Sequence, residues 1–505
     1  MPDFSRRNFL SSLAGTALAA SLPAPAFSQS PPAARPAAKK PNVLFFMSDD
    51  MRVEIGSYNS MFHCQTPNID ALAKSGVRFD RNYCQFPICN PSRASLLTGH
   101  RPTITKVLGN GTNLRRVQPD IITLPQLYRM NGYVTARAGK IFHGGMDDPK
   151  AWDVGGGVRD GDGGAGGHTI DIPRVQVPQP GSDVLPPLPQ DNAQAAHSDR
   201  IILLDGNGEG HPDYKTADLA ISYLNKYKDQ PFFIGCGFVK PHSPPAAPKS
   251  CYDLYDLDKI ELTPDFAPWP TVPEGFPSAA IRKRNADLFI GRGASKEEAK
   301  QVIRAYIAAI SFADQCLGRV VAEVDRLGLR QNTIMVFVAD HGYQLGEKGK
   351  WSKAGSLFEM GTRVPLIIVA PGANGNGTAC FRTVQSLDIF PTMMQLCNLQ
   401  VPAGTPDLAL EGTSLVPLLQ KPDGPWDQPA YSVWSEDGRT LWGTAIRTPE
   451  WRYAEFGENA INGAMLFDPK KDPLEMHNLA NDPQYAAIVK QLSPLVRQYA
   501  ASLKA

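Results

Sequence analysis

Four short apolar segments, each ending abruptly in charged residues or histidine, constrain the fold of this 505-residue chain more than any other feature. The segments are "NVLFFMSDD" (42–50), "YVTARAGKIFH" (133–143), "PFFIGCGFVKPH" (231–242) and "TIMVFVADHG" (333–342). Helical stretches lie between them, for example 70–75 and 296–327. Continuous apolar strands that alternate with helices are typical of a mostly parallel sheet covered on both faces. We therefore predict an α/β fold in which helices sandwich one large sheet.

The polar residues at the ends of these strands predict a single site. Ligands of parallel α/β sheets bind outside the carboxyl ends of the strands. One such residue alone is usually a turn residue or a buried histidine, but four strand ends with the same pattern favour a shared crevice. We expect this crevice to contain Asp49, Asp50, Lys140, His143, His242, Asp340 and His341. The carboxylates suit Ca²⁺ or Mg²⁺, whereas His341 would suit Mn²⁺ or Zn²⁺ equally.

The stretch "PICNPSRASLLTG" (87–99) predicts a short helix with a cysteine at its start. Asn90 is a suitable N-cap, Pro91 suits the first helical position, and Gly99 suits the end. Cys89 would then lie at the positive end of the helix, with Arg93 one turn further on, which favours holding an anion. Two alternatives remain at this point: a buried core thiol, or a local disulfide with Cys84. The spacing from cysteine to arginine is too short for a phosphatase-type loop.

The composition excludes some partners and leaves the disulfides open. Lys plus Arg number 51 and Asp plus Glu number 50, so no overall charge attracts nucleic acid or an anionic membrane surface. Any attraction for an anionic substrate must be local. The eight cysteines do not settle a disulfide pattern.

The N-terminus has the pattern of a targeting segment. Twin arginines in "SRRNFL" (5–10) precede an apolar run that is too short to span a bilayer, and small residues in "PAPAFSQS" (23–30) offer a cleavage site. We predict a twin-arginine signal peptide over 1–28, which would be read by the twin-arginine translocon, and a linker over 29–40. The mature protein would be exported to the periplasm, with no membrane span in the rest of the chain.

The motif "CNPSR" (89–93), followed by "LTG" (97–99), resembles the signature of the type I sulfatases. Four further segments are similar to the iduronate-2-sulfatase branch of that family, and the similarity runs from about residue 41 to the C-terminus. These segments are "NGYVTARAGKIFHGG" (131–145), "GFVKPHSP" (237–244), "ADHGYQLGEKGKWSK" (339–353) and "DPLEMHNLANDP" (472–483). The resemblance implies an alkaline phosphatase-like fold, with the catalytic domain over 41–425.

The resemblance also implies a chemistry for each motif position. In the family the cysteine is oxidised by a formylglycine-generating enzyme, and the hydrate of the resulting formylglycine is the nucleophile, which assigns this role to Cys89. The metal, usually Ca²⁺ with Mg²⁺ or Mn²⁺ as alternatives, would be held by Asp49, Asp50, Cys89, Asp340 and His341. The groups that hold the hydrate and the sulfate and move protons would be Arg93, Lys140, His143, His242 and Lys353.

The last part of the chain has a different pattern. Short strands in "YSVWS", "LWGTAIRT", "WRYAEF" and "AMLFDP" precede a final helix from about Pro483, which predicts a small antiparallel sheet subdomain over 426–505. The Gly-rich segment 155–169 and the Pro-rich segment 173–189 predict an irregular surface insertion or part of the wall of the substrate cleft.

Together these features predict an exported sulfuric ester hydrolase that acts on a sulfated carbohydrate or another alcohol sulfate ester. One alternative is a hydrolase of phosphate diesters or phosphonate monoesters on the same fold, because the same metal and cations suit phosphoryl oxygens. The other is a non-catalytic sulfoglycan-binding protein, although binding alone does not need Cys89.

Overall fold

The computed structural model describes residues 39–156, 167–170, 176–182, 193–404 and 408–503. The predicted signal peptide (1–28), nearly all of the predicted linker and much of the Gly-rich and Pro-rich segments lie outside the described residues. From Lys40 onward the chain forms one compact unit. The predicted boundary near residue 425 therefore falls inside this unit and stays a prediction.

Fifteen strands form three sheets within the described residues. The strands are β1 (Asn42–Asp49), β2 (Val77–Tyr83), β3 (Val134–Gly139), β4 (Val154–Gly156), β5 (Gly167–Thr169), β6 (Ile202–Leu204), β7 (Phe232–Pro241), β8 (Ala246–Pro248), β9 (Thr333–Ala339), β10 (Arg363–Val369), β11 (Ala379–Gln385), β12 (Ala430–Trp434), β13 (Gly443–Arg447), β14 (Arg452–Phe456) and β15 (Ala464–Phe467). The eight-stranded sheet has the order β11-β2-β10-β9-β1-β7-β3-β4, and a three-stranded sheet has the order β5-β6-β8.

The large sheet is mostly parallel, as the sequence predicts. Strand β1 pairs in parallel with β7 and β9, and β3 pairs in parallel with β7 and β4. Strand β10 is the exception in this sheet, because it runs antiparallel to both β9 and β2. The predicted α/β fold with one large sheet is therefore confirmed.

Helices cover both faces of the large sheet. The helices of the described residues are α1 (Pro67–Ser75), α2 (Cys89–Thr98), α3 (Pro102–Thr105), α4 (Leu114–Val117), α5 (Leu124–Met130), α6 (Ala193–Ser198), α7 (Pro212–Tyr227), α8 (Lys249–Tyr252), α9 (Lys296–Arg326), α10 (Glu359–Thr362), α11 (Ile389–Cys397), α12 (Val416–Gln420) and α13 (Ala486–Ala501). Leu44 and Phe46 of β1 pack in the core with α7 and α9, whereas Phe45 packs on the other face with α2, α5 and α11. Each such buried side chain contributes roughly 1.5–3 kcal/mol.

The C-terminal strands form the predicted separate sheet. Strands β12, β13, β14 and β15 pair antiparallel in that order. Helix α13 packs on this sheet through Leu492 and Val496, which share a core with Ile446, Tyr453 and Leu466. The prediction of a small antiparallel sheet with a final helix is confirmed.

Three buried charges join this sheet to the rest of the molecule. Arg452 of β14 places one guanidinium nitrogen 2.6 Å from Glu359 Oε2 in α10, and its Nε lies 2.8 Å from Glu475 Oε1. Glu475 also accepts a hydrogen bond of 2.7 Å from the backbone N–H of Glu359. Arg452 thus lies between two buried carboxylates, and Arg447 and Arg363 also approach Glu359, at 3.6 and 3.9 Å. Removing one partner from a buried ionic network of this kind destabilises the fold strongly.

Two local predictions around Cys89 are wrong. Helix α2 begins at Cys89 itself, so Ile88 rather than Asn90 is the N-cap, and Pro91 is the third helical residue rather than the first. The Asn90 amide instead donates to the carbonyls of Gly109 and Thr112 at 3.1 and 2.7 Å. The alternative of a Cys84–Cys89 disulfide is also excluded, because all eight cysteines are buried free thiols. The end of the helix is confirmed, since Gly99 adopts the left-handed conformation with φ 69°.

Candidate active site

The order of the strands brings three of the predicted strand ends together. Strand β1 lies between β7 and β9, so the residues after these three strands share one edge of the sheet. Asp50 follows β1 with a left-handed φ of 63°, and its backbone N–H donates to Asp340 Oδ1 at 3.1 Å. A non-glycine residue in this conformation is costly, and such residues cluster at functional sites. The turn directs two consecutive carboxylates, Asp49 and Asp50, into the same site.

Cys89 lies at the centre of this site. It is the first residue of α2, only 1% exposed, and its Sγ lies 3.2 Å from His341 Nε2. One potential ligand atom from each of Asp49, Asp50, Cys89 and His341 lies within 4.8 Å of the others. The helix N-terminus adds a partial positive charge at the sulfur. The arrangement is suited to a reactive group that carries or attracts negative charge.

The donor atoms in this cluster fit a divalent metal ion. Asp49 Oδ1 and Asp50 Oδ1 are buried and have no hydrogen-bond partner among the described residues. His341 Nδ1 lies 3.0 Å from the Gly342 carbonyl, so this nitrogen is the N–H donor and Nε2 faces the carboxylates. Burial opposes a charge on His341, but Asp340, Cys89 and Asp50 outweigh it and raise its pKa to about 10. Without a metal, a proton on His341 thus supplies part of the charge that compensates the carboxylates, and a divalent cation held by Asp49, Asp50 and His341 would replace that proton.

Asp340 is placed differently from the other predicted metal ligands. Its Oδ2 accepts a hydrogen bond from Arg93 Nε at 2.8 Å and lies 3.6 Å from His341 Nε2. Its carboxylate thus pairs with Arg93 and lies beside the cluster of Asp49, Asp50, Cys89 and His341 rather than within it. Ser92, which the sequence analysis did not select, donates from its hydroxyl to the Asp340 carbonyl.

Arg93 is held rigidly inside the site and is completely buried. One terminal nitrogen donates to the carbonyls of Lys140 and Ile141 at 2.7 and 3.0 Å, and the other lies 3.5 Å from Asp49 Oδ1. Charge-assisted contacts of this kind fix a guanidinium in position and orientation. The residue therefore presents a fixed positive charge one turn along the helix from Cys89.

Two lysines approach the paired aspartates separately. Lys140 Nζ lies 2.5 Å from Asp49 Oδ2, whereas Lys353 Nζ lies 2.7 Å from Asp50 Oδ2 and 2.9 Å from Asp287 Oδ1. Burial alone would raise the pKa of Asp49, but Lys140, Arg93 and His242 hold it well below its ordinary value. The site thus combines ionised carboxylates with cations that can also bind an anionic group.

The two predicted proton-transfer histidines occupy the ends of β7 and β3. His242 is half-buried, its Nδ1 lies 2.6 Å from the Ser243 carbonyl, and one of its nitrogens lies within 4.8 Å of Asp50 and Asp287 oxygens. His143 is half-buried in the turn after β3, three residues beyond Lys140. The structure therefore joins the other predicted site residues by direct contacts or shared ligand distances, and it shows His143 only by its place in the chain after Lys140. The individual roles stay predictions.

Asp287 is the site residue that the sequence analysis missed. Its Oδ1 pairs with Lys353, and its Oδ2 accepts a hydrogen bond of 2.9 Å from the Ser352 hydroxyl. Burial opposes its ionisation, but Lys353 and His242 lower its pKa. The residue lies in an irregular loop and follows no strand, so the strand-end pattern that identified the other carboxylates gave no signal for it.

Fold and site together define a class of hydrolase with an alkaline phosphatase-like fold. Two solved structures share this fold over most of the chain: BT4656 in complex with its substrate D-glucosamine-2-N,6-O-disulfate, and the phosphonate monoester hydrolase of Agrobacterium radiobacter. The first has a TM-score of 0.68 at 22% identity, covering 92% of this chain and 98% of the other. The second has a TM-score of 0.69 at 22% identity, covering 92% and 96%. At this identity the likeness shows the fold alone.

The family follows from the sequence comparisons. The sulfatase family model matches residues 41–399, and the model for the C-terminal part of N-sulphoglucosamine sulphohydrolase matches residues 346–502. The iduronate 2-sulfatase of Mus musculus is 31% identical, over 90% of this chain and 93% of that protein. The choline-sulfatase of Rhizobium meliloti is 28% identical, over 88% and 83%. The chain belongs to the type I sulfatase family and is a sulfuric ester hydrolase similar to the iduronate 2-sulfatases, so the alternative of a non-catalytic binding protein is set aside.

Proposed function

We propose that this sulfatase hydrolyses the sulfate ester of a sulfated sugar with a nucleophile derived from Cys89. The observation that carries the proposal is the position of Cys89, which begins α2 beside two aspartates with its Sγ 3.2 Å from His341 Nε2. In the family that the signature motif resembles, this cysteine is oxidised to formylglycine. The hydrate of that aldehyde supplies two hydroxyls on one carbon, one to attack sulfur and one to expel sulfate afterwards.

The metal ion would be held by Asp49, Asp50, His341 and the modified Cys89, with Asp340 at the edge of the cluster. Buried carboxylate oxygens favour a hard cation, so we propose Ca²⁺, with Mg²⁺ and Mn²⁺ as alternatives. When bound, the cation supplies Lewis acidity that makes the attacking hydroxyl more nucleophilic and offsets charge on the sulfate oxygens.

Arg93 and the two lysines would hold the reacting group in position. Arg93 is fixed by backbone carbonyls and by Asp340, so its charge is already oriented when the substrate arrives. Lys353 uses two of its three N–H donors on Asp50 and Asp287, which leaves one for a sulfate oxygen. The Lys140 ammonium donates to Asp49 Oδ2 and likewise retains N–H donors for sulfate. If Lys140 and Lys353 both hold oxygens of the sulfate group, its sulfur atom stays in line with the attacking nucleophile.

The histidines would move the protons. The Ser243 carbonyl engages His242 Nδ1, so Nε2 is the atom that can pass a proton to the leaving alcohol. His143 would accept the proton released when sulfate is expelled. A sugar alcohol is a poor leaving group, and it therefore depends on the proton from His242.

A second candidate is hydrolysis of phosphate diesters or phosphonate monoesters, because the cations of Arg93, Lys140 and Lys353 that suit sulfate oxygens also suit phosphoryl oxygens. The phosphonate monoester hydrolase of Agrobacterium radiobacter has the same fold. The two candidates are separated by the rates of hydrolysis of 4-nitrophenyl sulfate and phenyl 4-nitrophenyl phosphate under the same conditions. A faster phosphate reaction would reject the sulfatase assignment for the physiological substrate.

The direct test of the proposed nucleophile is the mass of the peptide that contains Cys89. Active protein should carry the aldehyde in place of the thiol, and production without a formylglycine-generating enzyme should give an unmodified thiol and no turnover. An unmodified thiol in active protein would contradict the proposal.

Export is proposed from the N-terminal pattern, and it would place the enzyme in the periplasm. Within the part of the chain that the structure describes, no helix has the length and apolar character needed to cross a bilayer. Arg6→Lys combined with Arg7→Lys should block export through the twin-arginine translocon, as measured by cell fractionation. Unchanged export of the double variant would reject this part of the proposal.

A further inference from the structure

A pocket of about 440 Å³ lies next to the site and is lined by three consecutive cations. Residues 282–286, "RKRNA", form one wall, and Gln194 and Glu436 complete it. Because the whole chain is almost neutral, with 51 basic and 50 acidic side chains, this group is a local concentration of positive charge. We call it the basic pocket.

Glu436 compensates only one of these cations. Its Oε2 lies 2.9 Å from an Arg282 nitrogen, and its Oε1 accepts a hydrogen bond from Trp434 Nε1 at 2.8 Å. Lys283 and Arg284 are exposed, and neither forms an ion pair with any residue that the structure describes. The pocket therefore retains two uncompensated positive charges, which attract an anion.

Hydrogen bonds from buried residues hold the backbone that carries these cations in place. Lys350 is buried, and its ammonium donates to the carbonyls of Arg282 and Arg284 at 3.1 and 2.7 Å. Asn285 accepts a hydrogen bond of 2.9 Å from the backbone N–H of Trp351. A segment anchored at alternate residues presents its side chains at little cost in conformational entropy, which favours binding.

The same segment leads directly to the sulfate-binding groups. Ala286, in the wall of the pocket, precedes Asp287, whose carboxylate holds Lys353 at 2.9 Å. Arg282 also packs against Gly355, two residues beyond Lys353, so closely that a Cβ on this glycine would lie 2.6 Å from Arg282 Cδ. Since consecutive Cα atoms are about 3.8 Å apart, the pocket begins within one or two residues of the group that holds the scissile sulfate.

We propose that the basic pocket is a second anion-binding site, which takes a carboxylate or a further sulfate group of a polyanionic sugar chain while its scissile sulfate lies at Cys89. This inference rests on the proposed function and specifies its substrate class. Lys283 and Arg284 bind the second anionic group, and Arg282 and Lys350 hold the wall in place. A substrate with one negative charge uses the catalytic groups alone, whereas a polyanionic substrate gains affinity from both sites.

The test compares binding of a fluorescent, size-defined heparin tetrasaccharide to the wild type and to the double variant Lys283→Gln with Arg284→Gln. We expect the dissociation constant at low salt to rise roughly fivefold to tenfold, and this difference to shrink as salt is added. The KM for 4-nitrophenyl sulfate should not change, because the catalytic groups are untouched. The matched control is Lys74→Gln with Lys228→Gln, which removes two exposed lysines near the start of β2 and β7, at the opposite edge of the sheet.

Equal affinity of the wild type and the double variant would overturn the inference, and so would an equal loss in the control. Carboxyl-reduced and N-desulfated tetrasaccharides identify the group that is bound, because the difference between wild type and variant disappears with the form that lacks it. The measurement of tetrasaccharide binding does not depend on turnover of the substrate. A protein that binds the tetrasaccharide through these cations but releases sulfate neither from sulfated sugars nor from 4-nitrophenyl sulfate would contradict the proposed function and leave the basic pocket supported.

Discussion

Asp287 and Lys353 form a buried ion pair in which the carboxylate Oδ1 lies 2.9 Å from the ammonium. The same ammonium contacts Asp50 at 2.7 Å, so the pair fixes Lys353 between the metal cluster and the loop that carries the basic pocket. Burial opposes the charge on Lys353, but Asp287 and Asp50 raise its pKa well above the ordinary value. Asp287 is therefore a positioning residue for the sulfate-binding lysine.

Asp287→Asn should lower kcat/KM for sulfate esters by roughly tenfold to a hundredfold, because a displaced ammonium contacts the sulfate less well in the transition state. The loss should lie mainly in kcat. Ser352→Ala is the matched control, since it removes the hydrogen bond to Asp287 Oδ2 and leaves the ion pair with Lys353 in place. Equal effects of the two variants would show that Asp287 acts through packing rather than through Lys353.

Removal of divalent metal should abolish turnover and lower the melting temperature, and Ca²⁺ should restore both. The physical reason is that two buried carboxylate oxygens, Asp49 Oδ1 and Asp50 Oδ1, lack hydrogen-bond partners among the described residues. A ligand at a hundred times its dissociation constant stabilises the folded state by about 2.7 kcal/mol. Full activity after exhaustive chelation, checked by elemental analysis, would contradict the assignment of the metal.

His242→Ala should reduce hydrolysis of sugar sulfates far more than hydrolysis of activated aryl sulfates, because only the sugar alcohol needs a proton as it leaves. A loss of about a hundredfold to ten-thousandfold on the sugar substrate is typical of a missing general acid. The measurement is kcat for both substrates over a range of pH. Equal losses would remove His242 from this role.

Cys89→Ser, shown by mass spectrometry to be unoxidised, should fold and bind metal but fail to complete multiple turnovers. A serine offers one hydroxyl, which can attack sulfur but provides no second hydroxyl to expel sulfate. Cys89→Ala should bind substrate without forming any covalent product. Intact mass after incubation with substrate distinguishes the two variants, and sustained turnover by the serine variant would reject the formylglycine mechanism.

Asp388→Asn should flatten the pH dependence of stability. Asp388 is buried and accepts hydrogen bonds from the backbone N–H groups of Gln385 and Thr413, and burial raises its pKa to about 7 from an ordinary value of 3.8. Between these values the unfolded state binds fewer protons, so the free energy of unfolding falls as pH rises, with no further loss above about pH 7. The variant should remove about 1–3 kcal/mol of this fall. Denaturant unfolding at pH 5 and 8 measures it, with the same substitution at the exposed Asp229 as the control.

Much of the site could be predicted because strand ends have a clear sequence pattern. Asp49 and Asp340 each follow a continuous apolar run, and parallel pairing of β1 with β9 brings such residues together. The prediction that Asn90 caps helix α2 is wrong because asparagine serves equally well as an N-cap and as a donor to a neighbouring loop. Only the folded position of the Gly109 and Thr112 carbonyls, which accept its hydrogen bonds, distinguishes the two. Asp287 could not be found, because its partner Lys353 is far along the chain and no local pattern marks the loop.

The buried charges around Arg452 have a consequence for the order of events during synthesis. Glu359 follows the loop that carries Lys353. Two of the three arginines that lie beside it, Arg447 in β13 and Arg452 in β14, leave the ribosome later. Until those strands arrive, the folding chain would have to bury this carboxylate with the more distant Arg363, at 3.9 Å, in place of both, at a cost of several kcal/mol. The nascent enzyme therefore remains incomplete around its active site until almost the whole chain has been translated, and a chain terminated before β14 should be degraded rather than accumulate as a partly active fragment.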